Sequence, residues 1–553
     1  MPGRRADVLI IGAGPSGSVA AHALASQNFS VLCLEQGDWV NPSDFPGGKP
    51  EFELLARTTW AWGPNERQAP QDYPIDVADS DLDLILFNAV GGSSLIYGAQ
   101  WHRLLPSDFR VRTLDGIGDD WPIEYSDVEP FYAEVDKFIG ASGLGGDPAC
   151  PPHEYPLPPL PLGRAGLRAA KGMNTLGWHW WPGCHAIPSW PYKHMAQCVR
   201  WGVCERGCPA GAKASFDLAY WPHATRAGAE LVTGARVARI TVDSRGYASG
   251  AIWLDSDGRE HHARASAVVL AANGIGTPRL LLMSNEASPD GLANSSGLVG
   301  RNLMLHPNCG VMGVYDQEIR SYTGPAGEPI YSLEFYETDE NRGFPRGAKW
   351  NLMPVPGVLS VLDLYNELPF EQRWGRALHD LSRRAGHVLS WFANVEDLPE
   401  ESNRVTLAPD LSDGSGLPAP RVEYRLSESV KRCVKFSLSR IEEAHRAAGA
   451  IDTFVVSGAA QSFAPEVAED VPEKAYPVFG PGHLLGTARM GTDPTTSVVD
   501  PFGRCHDVPN LFIVDGSVMV TSGAMNPTST IAALALRAAR HISETASHQR
   551  IPD

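Results

Sequence analysis

Asp7-Val8-Leu9-Ile10-Ile11-Gly12-Ala13-Gly14-Pro15-Ser16-Gly17 is the stretch that decides the fold. Its first five residues are nearly all aliphatic, as a strand buried on both faces should be. An alanine-rich run from about Ser16 to Ser26 predicts a helix, and Val31-Leu32-Cys33-Leu34 predicts a second strand ending at Glu35. The order strand, glycine turn, helix, strand, acid within about 30 residues is that of a dinucleotide-binding βαβ unit. Gly12 permits the tight turn, Gly14 lets backbone approach a pyrophosphate, and Gly17 lets the helix pack close to the sheet. The helix N-terminus supplies free N–H groups to the phosphates. Glu35 stands where a carboxylate can accept bonds from both adenosine ribose hydroxyls, and its charge disfavours a 2′-phosphate. The motif by itself does not separate FAD from NAD.

Working outward, 553 residues exceed what one core usually holds, so at least two domains or a composite unit are expected. Hydrophobic residues are 43% and charged residues 20% of the chain, the balance of a compact soluble protein. A net charge of -18 argues against nucleic acid as a partner, which needs a clustered basic surface. No apolar run is long enough to span a bilayer. The opening Met1-Pro2-Gly3-Arg4-Arg5 leads straight into the nucleotide fold and is read as carrying no targeting segment. Nine cysteines, an odd number, fit a reducing compartment better than a disulfide framework, so a cytoplasmic location is expected.

Nucleotide-fold signals recur at Gly91-Gly92-Ser93-Ser94, at the apolar run Ala267 to Ala272 followed by Asn273-Gly274, and from Gly480 to the end. The segments between lack them, and 310–470 carries no legible motif. The expected fold is therefore α/β: a Rossmann-like cofactor domain assembled from 1–110, 225–310 and 480–553. A substrate domain of mainly antiparallel sheet, 111–224 and 311–479, is inserted between those segments. A Gly- and Pro-rich stretch at 143–163 reads as a surface connection. The last helix, about Thr528 to Thr545, places Ile531, Leu534, Ala535, Ala538 and Ile542 on one face. Trp178, Trp180, Trp181, Trp190 and Trp201 are read as core packing, or else as a pocket lining suited to sugar rings or aromatic alcohols.

Three further segments resemble the glucose–methanol–choline oxidoreductases. Gly91-Gly92-Ser93-Ser94-Leu95-Ile96-Tyr97-Gly98-Ala99 is similar to the family's second signature, with Tyr97 where Asn is frequent. Ala271-Ala272-Asn273-Gly274-Ile275-Gly276-Thr277-Pro278 and Gly300-Arg301-Asn302-Leu303-Met304-Leu305-His306-Pro307 are similar to segments closing the flavin domain, with Leu305 where Asp is frequent. His483-Leu484-Leu485-Gly486-Thr487, Val514-Asp515-Gly516-Ser517 and Asn526-Pro527-Thr528 resemble the C-terminal flavin and active-site region. The resemblance implies FAD as cofactor. Its candidate contacts are Gly12, Gly14, Pro15, Ser16, Gly17, Glu35, Gly91, Gly92, Ser93, Tyr97, Gly98, Val237, Ala272, Asp515, Gly516, Asn526 and Thr528. Members with a covalent flavin carry His at about Leu95–Ile96; neither residue here is a nucleophile, which implies noncovalent binding.

The same resemblance implies oxidation of a small-molecule alcohol, a sugar, glycoside or aromatic alcohol, by hydride transfer to flavin N5. His483 matches the catalytic base and Asn526 its partner. A neutral imidazole suits removal of a hydroxyl proton near neutral pH, and an amide can hold the substrate oxygen beside it. Asn526 also reads as a helix cap ahead of Pro527, and His306 as a structural loop residue. Cys198, Cys204 and Cys208 (C-x5-C-x3-C) resemble the thiolates that hold a [3Fe–4S] cluster in sugar dehydrogenases passing electrons to a partner, and equally a cluster-free long-chain alcohol oxidase pattern. Zinc lacks a fourth ligand at ordinary spacing, although His185 and His194 are near. A non-catalytic nucleotide-binding protein is the reading from another class. The alcohol, the electron acceptor and the oligomeric state are not encoded in any motif.

Overall fold

A computed structural model describes residues 4–548 apart from 287, 326, 356, 360–373 and 457–481. Gly480, the expected domain boundary, lies outside the described residues. The opening strand, Arg4–Ile11, pairs in parallel with Val31–Leu34 on one side and with Glu260–Leu270 on the other. Glu230–Val232 extends one edge in parallel and Leu511–Ile513 joins the end of Glu260–Leu270, also in parallel. Ala248–Leu254 and Arg236–Val242 complete this seven-stranded sheet as an antiparallel hairpin. Ile11 stands level with Leu34 and Leu270, and Leu270 with Ile513, so four strands end on one line.

The chain ends meet on one face of this sheet. The Pro15–Ala25 helix packs against the final helix, Thr528–His548, which also packs on Tyr125–Ile139. Leu534, Ala535, Ala538 and Ile542 of the final helix are buried, as their spacing predicts.

A second sheet of six strands is antiparallel throughout, in the order Ala450–Val456, Asn308–Tyr315, Val388–Val395, Ala348–Met353, Ile330–Ser332, Trp181–Pro182. Alternation gives it two unlike faces. Cys309, Val311, Trp350, Leu352, Trp391 and Ala393 are buried in an apolar core. The helix Glu428–Ala447 covers that face, capped by Ser427, and buries Val430, Val434, Leu438 and Ile441 at helical spacing. The opposite face carries Asn308, Met312, Lys349, Asn351, Met353, Ser390, Phe392 and Asn394. Lys349 stands opposite Asn394, Asn351 opposite Phe392 and Met353 opposite Ser390. Gly310 faces Phe392, whose ring would lie 2.4 Å from any Cβ there. A three-stranded sheet, Arg404–Ser412, Pro418–Tyr424 and Asp76–Ser80, flanks the pair.

The segment 111–224 touches both sheets: its Tyr125–Ile139 helix lies on the final helix, and Trp181–Pro182 is an edge of the antiparallel sheet. The tryptophans divide. Trp178, Trp180 and Trp181 pack against apolar clusters, whereas Trp190 and Trp201 are 64% and 54% exposed, so core packing does not hold for the last two. The 143–163 stretch is irregular, as its composition predicts. No helix among the described residues is long and apolar enough to cross a membrane.

The glycine turn is built to atomic contact. A Cβ on Gly17 would lie 1.9 Å from the Gly12 carbonyl oxygen and 3.2 Å from the Ala271 Cβ. Gly17→Ala is therefore expected to destabilise the protein by about 1–3 kcal/mol through overpacking. The check is chemical denaturation of the FAD-free protein, with FAD titration as the second readout; unchanged stability and unchanged affinity would contradict the close packing.

Candidate active site

One cavity of about 1290 Å³ runs from the level strand ends of the first sheet to the polar face of the second. Gly12 turns the chain with φ +103°, and a Cβ there would meet the Ala271 carbonyl oxygen at 2.4 Å. Above Gly14 the nearest atom to a built Cβ is the Gly92 Cα, at 4.0 Å. The two glycine loops thus face each other across an open shelf at the start of a helix, which is what a pyrophosphate needs. Glu35 ends its strand with one carboxylate oxygen accepting from the Ala13 N–H at 2.7 Å and the other from the Gly37 N–H at 2.8 Å. Burial raises its pKa and those backbone donors oppose the rise. Each oxygen keeps lone-pair capacity for a further hydroxyl. The residues present fit FAD: an open shelf for phosphate, a carboxylate for ribose, and room beyond for a ring system.

Gly12, Gly14, Pro15, Ser16, Glu35, Gly92, Ser93, Tyr97, Gly98, Val237, Ala272, Asp515, Gly516, Asn526, Thr528 and His483 all line this cavity. Gly17 and Gly91 do not; they shape the turns behind it, Gly91 with φ +92° against Asp217. The Tyr97 hydroxyl donates to the Ala214 carbonyl at 2.9 Å. Asp515 accepts from the Ser517 and Thr277 hydroxyls and from the backbone of Ser517 and Asn273, which locks the strand end beside the cavity.

At the far end the loop 521–526 is tied down from several parts of the chain. The Thr521 hydroxyl donates to the Asp108 carbonyl, the Ser522 hydroxyl to the Asp397 carbonyl, and the Ala524 N–H to the Tyr336 hydroxyl. His306 Nε2 lies 2.6 Å from the Gly523 carbonyl oxygen, and His306 Nδ1 lies 2.8 Å from His483 Nδ1. A carbonyl only accepts, so His306 Nε2 carries a hydrogen. Burial pushes the His306 pKa down to about 4, so the ring is neutral and its Nδ1 is an acceptor. His483 must then donate from Nδ1, which leaves its Nε2 lone pair as the basic site. Burial, His306 and the Lys349 charge together hold the His483 pKa well below its ordinary value.

Asn526 stands in a chain of amides. The Gln100 amide donates to the Gly327 carbonyl at 2.8 Å, and the Asn526 amide donates to Gln100 Oε1 at 3.2 Å. Lys349 donates to Asn526 Oδ1 at 2.9 Å, to Glu328 Oε2 at 2.7 Å, and to Asn351 Oδ1. Glu328 also contacts His102. Burial alone would raise the Glu328 carboxyl, but the facing His102 and Lys349 outweigh it and hold it below its ordinary value. His102, Cys184 and Glu328 are the group of potential metal ligands that comes together among the described residues. The Lys349 ammonium already compensates that carboxylate; Glu328 meets His102 Nε2, and Cys184 Sγ lies 3.3 Å from Nδ1 and 3.6 Å from Nε2 of the same ring.

Cys198, Cys204 and Cys208 line one small cavity beside Lys213, whose ammonium donates to the carbonyls of Leu95, Tyr97 and Cys204. Burial draws the Lys213 pKa down to about 8 against the opposing pull of Cys204 and Cys208. That cavity measures about 20 Å³, room for one water, and as folded it does not fit an iron–sulfur cluster. The three thiols are not among the groups whose ligand atoms come within reach of one metal ion among the described residues. His194 is engaged elsewhere, with the Leu218 carbonyl at 2.7 Å. All nine cysteines are free.

Sequence reading missed Lys349, Asn351, Asn394 and Gln100, and took His306 for a structural residue only. A signal was present: Lys349-Trp350-Asn351-Leu352 and Ser390-Trp391-Phe392-Ala393-Asn394-Val395 alternate polar with core residues, so the polar positions share one sheet face. A lysine and two carboxamides on one face mark a lined crevice rather than a solvated edge.

Comparison with known proteins agrees with this geometry. Residues 174–308 and 399–535 match the GMC oxidoreductase family, and residues 10–68 match the NAD(P)-binding Rossmann-like domain. A 2-methyl-1,2-propanediol dehydrogenase from Mycolicibacterium austroafricanum is 40% identical over 97% of this chain and 95% of its own. A fructose dehydrogenase large subunit from Gluconobacter japonicus is 31% identical over 97% of each. The crystal structure of pyridoxine 4-oxidase from Mesorbium loti superposes with a TM-score of 0.68 at 18% identity, covering 97% of this chain and 99% of that one, which supports the fold. With an FAD-shaped cradle, a Rossmann-like sheet and full-length likeness to alcohol-oxidising enzymes, this chain belongs to the GMC oxidoreductase family of flavoprotein oxidoreductases that act on alcohols.

Proposed function

We propose that the chain oxidises the carbinol carbon of a small, hydroxyl-rich alcohol, with His483 taking the hydroxyl proton at Nε2 and Asn526 holding the substrate oxygen. The observation that carries this reading is the pair of bonds from the Gly523 carbonyl through His306 to His483, which leaves one neutral imidazole nitrogen as a base. FAD, bound noncovalently, would supply the hydride acceptor. His483 keeps its Nδ1–H bond to His306 as Nε2 gains the proton, so the ring does not need to turn. Asn526 is held from both sides and has one amide hydrogen left for the substrate oxygen. Asn308, Asn351 and Asn394 on the cavity wall favour a substrate with more than one hydroxyl over a long apolar alcohol. The names of the diol and fructose dehydrogenase relatives point the same way.

The proposed cofactor domain is 1–110, 225–310 and 480–553, with 111–224 and 311–479 bearing the substrate wall. The nine free thiols support a cytoplasmic setting. The sugar-dehydrogenase variant, with a [3Fe–4S] cluster at Cys198, Cys204 and Cys208, has their common cavity in its favour and the volume of that cavity against it.

Anaerobic mixing with 1,2-propanediol, fructose, benzyl alcohol and a long-chain alcohol should bleach the flavin band fastest with the polyhydroxyl compounds. His483→Ala is expected to retain FAD and lose reduction by about 10²–10⁴-fold; turnover at the wild-type rate would end the assignment. Because the His483 pKa is lowered, the free base persists below pH 6.5, and kcat/KM should stay level from pH 8 to 6.5 and fall only at lower pH.

His306→Leu removes the acceptor that fixes the His483 tautomer. Reduction should slow by about 10²-fold or more with FAD still bound, since holding a catalytic imidazole in the wrong tautomer costs up to ~10⁴. Iron analysis of purified holoprotein should give well below one iron per flavin; three irons and four acid-labile sulfides per flavin would establish the cluster reading instead.

A further inference from the structure

Lys349, the second residue of the strand Ala348–Met353, has a side chain that is 0% exposed and is hydrogen-bonded directly to Asn526. Its cost is compensated by Glu328, also 0% exposed, so the pair is electrically neutral. Buried ion pairs of this kind seldom add stability over apolar residues of similar volume. Something other than stability is the reason to look for.

An ammonium has three hydrogens, and all three are committed: to Glu328 Oε2, to Asn351 Oδ1 and to Asn526 Oδ1. Lys349 therefore has no donor left for a substrate and acts through other groups. Its effect on Asn526 is directional. An ammonium can only donate, so the Asn526 carbonyl must face it and the NH₂ must face away. The other end of the chain agrees, because the Gly327 carbonyl orients Gln100 and thereby makes Gln100 Oε1 the acceptor for one Asn526 hydrogen. A cation at one end and a carbonyl at the other permit only one orientation of the amide. The second N–H of Asn526, a residue of the cavity lining, is then fixed as a donor.

We propose that Lys349 is a positioning residue for alcohol oxidation: it locks and polarises the Asn526 amide so that this amide donates to the substrate oxygen as negative charge develops there. The inference rests on the reading of His483 and Asn526 as the substrate-facing pair. An unclamped amide could turn its oxygen toward the substrate and repel the developing charge. A polarised donor in a water-poor site is worth more in the transition state than in the ground state, so the effect should fall on kcat rather than on KM. Lys349 also bears on the base, since its charge and His306 are the two groups that, after burial, hold His483 neutral. Burial pulls the Lys349 pKa below its ordinary value, and the facing Glu328 carboxylate opposes that pull, with Cys184 and Cys150 next in the same direction as Glu328.

The test uses the holoenzyme. Lys349→Met alone strands the Glu328 carboxylate and risks misfolding, so the decisive variant is Lys349→Met with Glu328→Gln, which removes both charges together. With the panel alcohol that reduces the wild-type flavin fastest, the double variant should bind FAD normally and reduce it about 10²-fold more slowly, the usual loss for one oxyanion donor. KM should change by less than about threefold, and the acid limb of the pH profile should move to higher pH. Selective ¹⁵N-asparagine labelling gives a readout independent of turnover: the Asn526 side-chain resonance, assigned by its loss in Asn526→Asp, should shift in the double variant. A wild-type reduction rate, or an unmoved Asn526 resonance, overturns the inference. If His483→Ala retains turnover, the underlying base assignment fails first; if His483→Ala is inactive and the double variant is not, only the role of Lys349 fails.

Discussion

The strand Glu260–Leu270 binds the opening strand along one edge and Leu511–Ile513 along the other. Backbone hydrogen bonds across these ladders leave little freedom in register, so Gly12, Ala272 and Asp515 arrive at the same sheet edge although hundreds of residues separate them in sequence. The first turn after each strand then opens into the crevice beyond the carboxyl ends, where α/β sheets hold ligands. Gly12 and Gly17 let the turn, helix and Ala271 backbone close to contact distance. Without that ladder the final helix would have no reason to deliver Asn526 to the cavity, and the loop 521–526 would have no floor to be tied against.

The antiparallel sheet supplies the opposite wall, and its alternation solves two demands at once. One face is apolar and is covered by the Glu428–Ala447 helix, which also packs on the Gly163–Leu176 helix. The other contributes Asn308, Asn351, Ser390 and Asn394 to the cavity lining, while the Lys349 ammonium stays buried outside that lining. Placing these polar groups indoors is costly unless they are bonded, and the network of Gly327, Gln100, Asn526, Lys349, Glu328 and Asn351 satisfies most of them. Among the described residues, Asn394 Nδ2 and Ser390 Oγ on the same wall lack a protein partner. Both residues line the cavity, although these two atoms are themselves closed off from it.

The proposed proton chemistry rests on two hydrogen bonds and on burial. A backbone carbonyl cannot change its role as acceptor, so Gly523 propagates a fixed polarity through His306 into His483. The same directional reasoning applies on the other side, where an ammonium cannot change its role as donor and so fixes Asn526. The His483 imidazole and the Asn526 amide are thus each held in one state by a neighbour with no alternative, which is the preorganisation that the proposed base and its partner need.

What the amino-acid sequence determined by itself was local and periodic: the βαβ opening, the glycine turn with Glu35, the helical face of about Thr528 to Thr545, and the segments at 91, 271, 483 and 526 that resemble one family. These are legible because turn geometry, strand burial and helix spacing depend on near neighbours. The tertiary structure alone decided that His306 supports His483, that Lys349 and Glu328 stand behind Asn526, and that Trp190 and Trp201 face solvent while their neighbours are packed. Such facts depend on which strands pair and at what register. Alternation marks the polar positions of a strand, but only the sheet says which polar residues of other segments they will meet.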